Sequence, residues 1–195
     1  RVLRPVIVNR PSRVPVFRGA QIVFYEKKNF QGRKYESTAD CTDLEDMVQG
    51  PVSSLRVESG SWVLYERKDF TGTMHVLSPG EFADPTQWQV QGEQYILSCR
   101  ILRQASGGHR IRLYEKAEFA GDCLELSEDC PVLEGRWGRK DVQSVRVVSG
   151  GAWVAYEEPE YRGRQYCMEH GEYRKHQAWG AAGPRVQSLR RFTEY

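Results

Sequence analysis

Tyr25-Glu26-Lys27-Lys28-Asn29-Phe30-Gln31-Gly32 decides the fold, because the same pattern returns three times: Tyr65-Glu66-Arg67-Lys68-Asp69-Phe70-Thr71-Gly72, Tyr114-Glu115-Lys116-Ala117-Glu118-Phe119-Ala120-Gly121 and Tyr156-Glu157-Glu158-Pro159-Glu160-Tyr161-Arg162-Gly163. The shared form is Tyr-Glu-x-x-x-aromatic-x-Gly, recurring at offsets of 40, 49 and 42 residues. Such self-similarity marks a repeat architecture. A short β-rich run precedes each octet: Ile22-Val23-Phe24, Trp62-Val63-Leu64, Ile111-Arg112-Leu113 and Trp153-Val154-Ala155. About 30 residues after each tyrosine comes a serine opening an alternating strand, at Ser54, Ser98, Ser144 and Ser188. Alternation of this kind fits a strand with one buried and one wet face. In the fourth copy Arg191 takes an apolar place, which predicts a frayed or edge strand.

The glycine closing each octet (Gly32, Gly72, Gly121, Gly163) reads as a backbone requirement. A hairpin folded back on its own sheet needs a positive φ, which glycine adopts at little cost. The aromatic two residues earlier would cover the hairpin's apolar side, and the later serine would bond backbone groups left over at the bend. A ligand or catalytic site built on the Tyr-Glu pairs is disfavoured, since a feature present in four equivalent places serves the fold.

The four units are not alike. The first and third carry Asp-Cys sixteen residues after their tyrosine, at Cys41 and Cys130, followed by Leu44 and Leu133. The second and fourth open on Trp62 and Trp153, and share Gly80-Glu81-Phe82 and Gly171-Glu172-Tyr173 with Trp88 and Trp179 beyond. An alternating order of unlike units predicts two domains of two motifs, not a four-bladed propeller of equal blades. The expected layout is a domain over 19–102, a polar Gly-rich linker over 103–109 and a second domain over 110–195. Residues 1–18 read as the end of a preceding repeat plus a linker, because Arg1-Val2-Leu3-Arg4 echoes Arg100-Ile101-Leu102-Arg103 and Pro5, Pro11 and Pro15 follow. On that reading the chain comes from a longer protein of tandem domains.

Composition excludes several classes. Hydrophobic residues at 39% and aromatics at 11% supply a packed core, and the net charge of +2 gives no global attraction to nucleic acid or anionic lipid. No apolar run reaches the roughly 18 residues of a membrane span. Five cysteines, an odd number with no Cys-x-x-Cys, read as reduced thiols in an intracellular, cytoplasmic setting. Cys123 and Cys130 could approach across a hairpin, but reduced, half-buried thiols are the better reading. The histidines His75, His109, His170 and His176 lack zinc-site spacing, and His170 and His176 read as surface residues. No nucleophile elbow or phosphate-binding loop occurs, so no enzyme is expected. The basic run Arg1, Arg4, Arg10, Arg13 and Arg18 holds a single aromatic, Phe17, too little for base stacking, and reads as linker.

The octets, the distant serines and the tryptophan opening the second motif of each pair together resemble the βγ-crystallin superfamily over residues 21 to about 192. The resemblance implies an all-β fold of two domains, each made of two intercalated four-stranded Greek-key motifs in a β-sandwich. The apparent linker and additional repeat resemble the non-lens absent-in-melanoma-1 group in particular. That implies a non-enzymatic structural or interaction module of a larger protein with protein partners, cytoskeletal ones among them, carbohydrate binding elsewhere in the chain, and a monomer or weak dimer. The alternatives are a calcium-binding module and a lens structural crystallin.

Family members bind calcium through a stretch resembling Asn/Asp-Asn/Asp-x-x-Ser/Thr-Ser, and calcium prefers several oxygen ligands including carboxylates. In this chain the first copy, Gln49 to Ser54, keeps the hydroxyls Ser53 and Ser54 but has no acid. The second, Glu93 to Ser98, has one carboxylate, Glu93, and no hydroxyl at the fifth place. The third has Asp141 behind Arg139 and Lys140, and the fourth, Gly183 to Ser188, has no acid. Cations at a metal's place repel it. Calcium binding is therefore expected to be weak or absent in all four, with the first two the least unfavourable, and no other cofactor is expected.

Overall fold

A computed structural model describes residues 19–88, 95–103 and 107–193; the suspected preceding repeat in 1–18, Glu93 and linker residues 104–106 lie outside the described residues. Fourteen strands are described: β1 Gln21–Lys27, β2 Gln31–Ser37, β3 Ser54–Ser59, β4 Trp62–Arg67, β5 Thr71–Leu77, β6 Gly80–Phe82, β7 Ser98–Ile101, β8 Arg110–Lys116, β9 Ala120–Leu126, β10 Ser144–Ser149, β11 Trp153–Glu158, β12 Arg162–Met168, β13 Gly171–Tyr173 and β14 Ser188–Arg191. Two short helices, α1 Leu44–Val48 and α2 Glu134–Trp137, follow the Asp-Cys pairs of the first and third motifs. Asp43 caps α1 by accepting the Asp46 N–H at 3.2 Å, and the buried Leu44 and Leu133 seat these turns in the core.

All strand pairs are antiparallel, and the fold is the expected two-domain, Greek-key β-sandwich. The sheets run β2-β1-β3-β6, β13-β10-β8-β9 and β14-β11-β12-β5-β4-β7. The motifs exchange strands within each half. The β6 strand belongs to the second motif by sequence yet pairs with β3 of the first, Arg56 opposite Glu81. The β13 strand pairs with β10 in the same way, Arg146 opposite Glu172. In return the first motif gives Cys41 to a bridge with Cys99, and the third gives Cys130 to a bridge with Leu189. The exchange makes each domain a closed wedge and protects strand edges.

The continuous apolar runs of β4 and β11 have a physical reason. Trp62 and Leu64 point into the N-terminal core with Ile22, Phe24 and Leu55. Val63 and Tyr65, one residue out of phase, pack into the cluster containing Trp153, Ala155 and Leu189 of the other half. A strand covered on both faces loses the polar alternation of a half-wet one. The six-stranded sheet is continuous across the two halves through the pairing of Met74 in β5 with Gln165 in β12. The Gln165 side chain accepts the Val76 N–H at 3.2 Å. The β14 strand stands at the end of its sheet, and there Arg191 donates from its backbone and its guanidinium to Asp129.

Candidate functional site

The repeated residues form four structurally equivalent corners. Each tyrosine of the octet is buried, and its ring meets the octet's second aromatic at a centroid distance of 5.5–5.7 Å: Tyr25 with Phe30, Tyr65 with Phe70, Tyr114 with Phe119, Tyr156 with Tyr161. Gly32, Gly72, Gly121 and Gly163 have φ between +78° and +83°. The two residues before the intervening position also turn left-handed, a feature the sequence did not announce. Asn29 and Phe30 have φ of 56° and 60°, with equivalent values at Asp69 and Phe70, Glu118 and Phe119, and Glu160 and Tyr161. Non-glycine residues there carry strain of order 1 kcal/mol or more each, which surrounding contacts must offset.

The distant serine supplies such a contact. Ser54 Oγ accepts the Phe30 N–H at 2.9 Å and donates to the Lys27 carbonyl at 2.6 Å. Ser98 does the same for Phe70 and Arg67, Ser144 for Phe119 and Lys116, and Ser188 for Tyr161 and Glu158. All four serines have zero exposure, so each hydroxyl satisfies a donor and an acceptor that water cannot reach.

The corner has one further member, the arginine two residues past each serine. The recurrent Ser-x-Arg at 56, 100, 146 and 190 was its signal. Arg56 lies over the Phe30 ring at 4.0 Å, Arg146 over Phe119 at 3.9 Å and Arg190 over Tyr161 at 5.3 Å. Arg56, Arg100 and Arg190 also donate to the hydroxyls of Tyr25, Tyr65 and Tyr156, at 3.4, 3.2 and 2.8 Å. Arg100 departs from the pattern by pairing with Glu169 of the other half. Burial pushes the Tyr65 and Tyr156 phenols up, against the pull of these guanidinium groups. Nothing in this arrangement presents a nucleophile beside a base.

The stretches that resemble calcium loops sit beside the octet glutamates, and several polar groups around them are engaged. Arg33 binds Glu26 at 2.5 Å and the Gln49 carbonyl at 2.9 Å. In the third motif the guanidinium comes from the other side of the junction: Arg139 binds Glu115 at 2.5 Å and Asp122 at 2.6 Å. Glu66 accepts the Thr73 N–H at 3.3 Å, and Glu157 accepts the Tyr166 hydroxyl at 2.9 Å. Ser53 donates its backbone N–H to the Tyr25 carbonyl, and the Asp141 carbonyl accepts the Trp137 indole. The Asp141 backbone pairs with that of Arg185 in an isolated antiparallel bridge. A divalent cation needs several free oxygens; at the first and third junctions an arginine already holds the carboxylates, so these donor sets do not fit one. Among the described residues no group of three or more His, Cys, Asp or Glu is placed to hold a metal, and no helix is long and apolar enough to cross a membrane.

Four cysteines are buried and Cys123 is exposed. Cys130 faces Leu189 and Cys123 faces Tyr114 across their ladders, so the approach of Cys123 to Cys130 considered from sequence is not made. His75 proves partly buried against the other half, unlike an ordinary surface histidine.

The family model for Beta/Gamma crystallin matches residues 21–102 and 110–192. Gamma-crystallin S of Cyprinus carpio is 45% identical over 175 residues, covering 89% of this chain and 99% of the relative. Gamma-crystallin C of Macaca mulatta is 45% identical over 174 residues, covering 89% and 98%. A solution structure of the fifth crystallin domain of the non-lens protein Absent in melanoma 1 aligns with 43% of this chain and 87% of its own at 26% identity and a TM-score of 0.39.

Proposed function

The chain belongs to the beta/gamma crystallin family, and from that premise we propose that it is a non-enzymatic structural protein of the gamma-crystallin type, acting inside the cell as a stable, densely packable two-domain body. The observation that carries this reading is the end-to-end match. The two domains span 99% of the carp gamma-crystallin S at 45% identity. That likeness favours a lens-type structural crystallin over a cytoskeleton-associated module of the absent-in-melanoma-1 kind, a reading that rests on residues 1–18 alone.

The physical character of the chain suits the role. Charges of both signs are interspersed, 28 basic against 26 acidic, and many arginines are committed to carboxylates or aromatic faces. A surface without a large single-sign field, on a body with buried aromatic cores, lets molecules crowd without strong mutual attraction. Calcium plays no part in this proposal: at the first and third junctions Arg33 and Arg139 pair with the octet glutamates.

Small-angle scattering of the purified chain over rising concentration tests it. Scattering at low angle that falls steadily below the ideal value, with no phase separation, is the expected result. Attractive association at modest concentration, together with saturable co-sedimentation with actin filaments, would overturn it in favour of the module reading.

A further inference from the structure

Cys41 and Cys99 stand directly opposite one another in an antiparallel bridge, each donating its backbone N–H to the other's carbonyl, at 2.9 and 3.0 Å. Such a doubly bonded pair places its Cα atoms about 5.5 Å apart, inside the 4.4–6.8 Å spanned by disulfides. Both side chains belong to the N-terminal core, so both leave the ladder on the same face. In a hydrogen-bonded pair the facing Cβ atoms lie at the wide end of the usual range, about 5.5 Å, roughly 1 Å or more beyond what a relaxed disulfide prefers. Closure therefore requires the two segments to move inward and yields a strained link that reductants can reopen.

The second half supplies an internal control. Cys130 makes the same reciprocal backbone bonds at the equivalent place, at 2.8 and 3.0 Å, but its partner is Leu189. The fold builds this bridge twice, and only the N-terminal copy has sulfur on both sides.

We propose that Cys41 and Cys99 form a reversible redox latch, closed by a low-molecular-weight disulfide such as glutathione disulfide. Cys41 is 9% exposed and Cys99 is fully covered, so the reagent meets Cys41 first. Burial pushes both thiols up, Cys99 to about 12, which makes reaction at either slow and favours Cys41 as the leading nucleophile. The Cys41 thiolate attacks one sulfur of the reagent; the reagent's S–S bond breaks and one glutathione leaves as thiolate. The Cys99 thiol gives up its proton, its sulfur attacks Cys41 Sγ, and the second glutathione departs. Two protein thiols are oxidised, one small disulfide is reduced to two thiols, and the proton count balances.

The closed latch ties the segment donated by the first motif to β7 of the second. It fastens covalently the strand exchange that holds the N-terminal wedge together, and closes a loop of roughly 60 residues in the unfolded chain. This inference is independent of whether the chain serves as a lens-type crystallin.

The test is incubation of the full native chain with glutathione disulfide, followed by non-reducing intact mass, peptide mapping and thermal unfolding. The expected result is a species lighter by two hydrogens, a linked peptide pair holding Cys41 and Cys99, an unlinked Cys130, and a melting midpoint higher by roughly 5 °C that dithiothreitol reverses. Cys99→Ser should instead retain glutathione on Cys41. A native chain that keeps an unresolved adduct on Cys41, or that reacts only at exposed Cys123 while Cys41 and Cys99 stay unlinked, overturns the proposal whether or not the variant folds.

Discussion

Arg100 in β7 pairs with Glu169, just past the end of β12, across the seam between the two halves. Its three counterparts, Arg56, Arg146 and Arg190, remain over aromatic rings of their own motifs. One copy of a fourfold-repeated residue thus keeps its bond to its own tyrosine and adds a tie between domains. The pair is largely sheltered, with side-chain exposures of 27% and 20%, and salt screens it less than an open surface pair. Glu169→Ala should destabilise the native pairing of halves by about 1–2 kcal/mol. Denaturant unfolding would then separate into two transitions, and a cycle with Arg100→Met should return a coupling energy clearly above zero. A cycle near zero would make the tie incidental.

Loss of a corner hydroxyl should cost far more than its size suggests. Ser54→Ala removes the partner of both the Phe30 N–H and the Lys27 carbonyl in a place that water does not reach. At about 1–3 kcal/mol for each buried orphan, a loss of about 3 kcal/mol is expected in the N-terminal half. Ser144→Ala should do the same to the C-terminal half, for the bonds to Phe119 and Lys116. Domain-resolved urea unfolding checks both.

Two glycines that both have positive φ should differ sharply in tolerance. A Cβ on Gly150, at φ +77°, would stand 2.5 Å from the Gly108 carbonyl oxygen and 2.7 Å from the His109 nitrogen, all backbone. On Gly72, at φ +83°, it would meet only the side-chain carbons of Arg67 and Glu66 at 3.1 and 3.2 Å. Gly72→Ala should therefore cost about 1 kcal/mol from backbone conformation, whereas Gly150→Ala must shift the chain before β8 and cost several times as much. Equal melting midpoints for the two variants would contradict this.

Calcium should leave the protein unchanged. With Arg33 on Glu26 and Arg139 on Glu115 and Asp122, a cation would have to displace an arginine to gain a carboxylate. A ligand bound by the native state raises the melting midpoint by mass action. Melts in about 1 mM calcium, near the weak end of protein sites, and in EDTA should coincide. A higher midpoint with calcium would show a site these contacts do not foresee.

Much of this architecture was legible because repetition amplified it: Tyr25, Gly32 and Ser54 say little once, but four copies at matching spacing specify a corner. The continuous run Trp62-Val63-Leu64 also held the information that its strand is covered on both faces. The roles of the copies were harder to read. The sequence gives Arg100 the same context as Arg56, and only the packing of the second half brings Glu169 to it. Left-handed Phe30 and Phe70 could not be foreseen, because aromatic residues seldom adopt that conformation and the serine that stabilises it lies 24 and 28 residues away. The strand exchange joining Cys41 to Cys99 is likewise non-local and follows no spacing rule.

His75 shows what such packing does to a titrating group. It sits in β5 beside the crevice formed with β11 and β12, where Glu157, Glu158 and Arg164 are the charged neighbours, and its Nδ1 is buried without a partner. Burial lowers its pKa to about 4, against a weaker upward pull from Glu66. The unfolded chain, with an ordinary histidine near 6.5, binds this proton more readily than the native state between pH 4 and 6.5. Stability therefore rises with pH through that window, is complete above it, and is lost as pH falls from 6.5 to 4. The full loss is about 3 kcal/mol for this group alone. His75→Gln should flatten that part of the profile while leaving the steeper acid limb of the carboxylates, so urea unfolding of both proteins between pH 4 and 7 isolates the histidine. Parallel profiles would mean that His75 is solvated in the native state and that the crevice between the halves admits water.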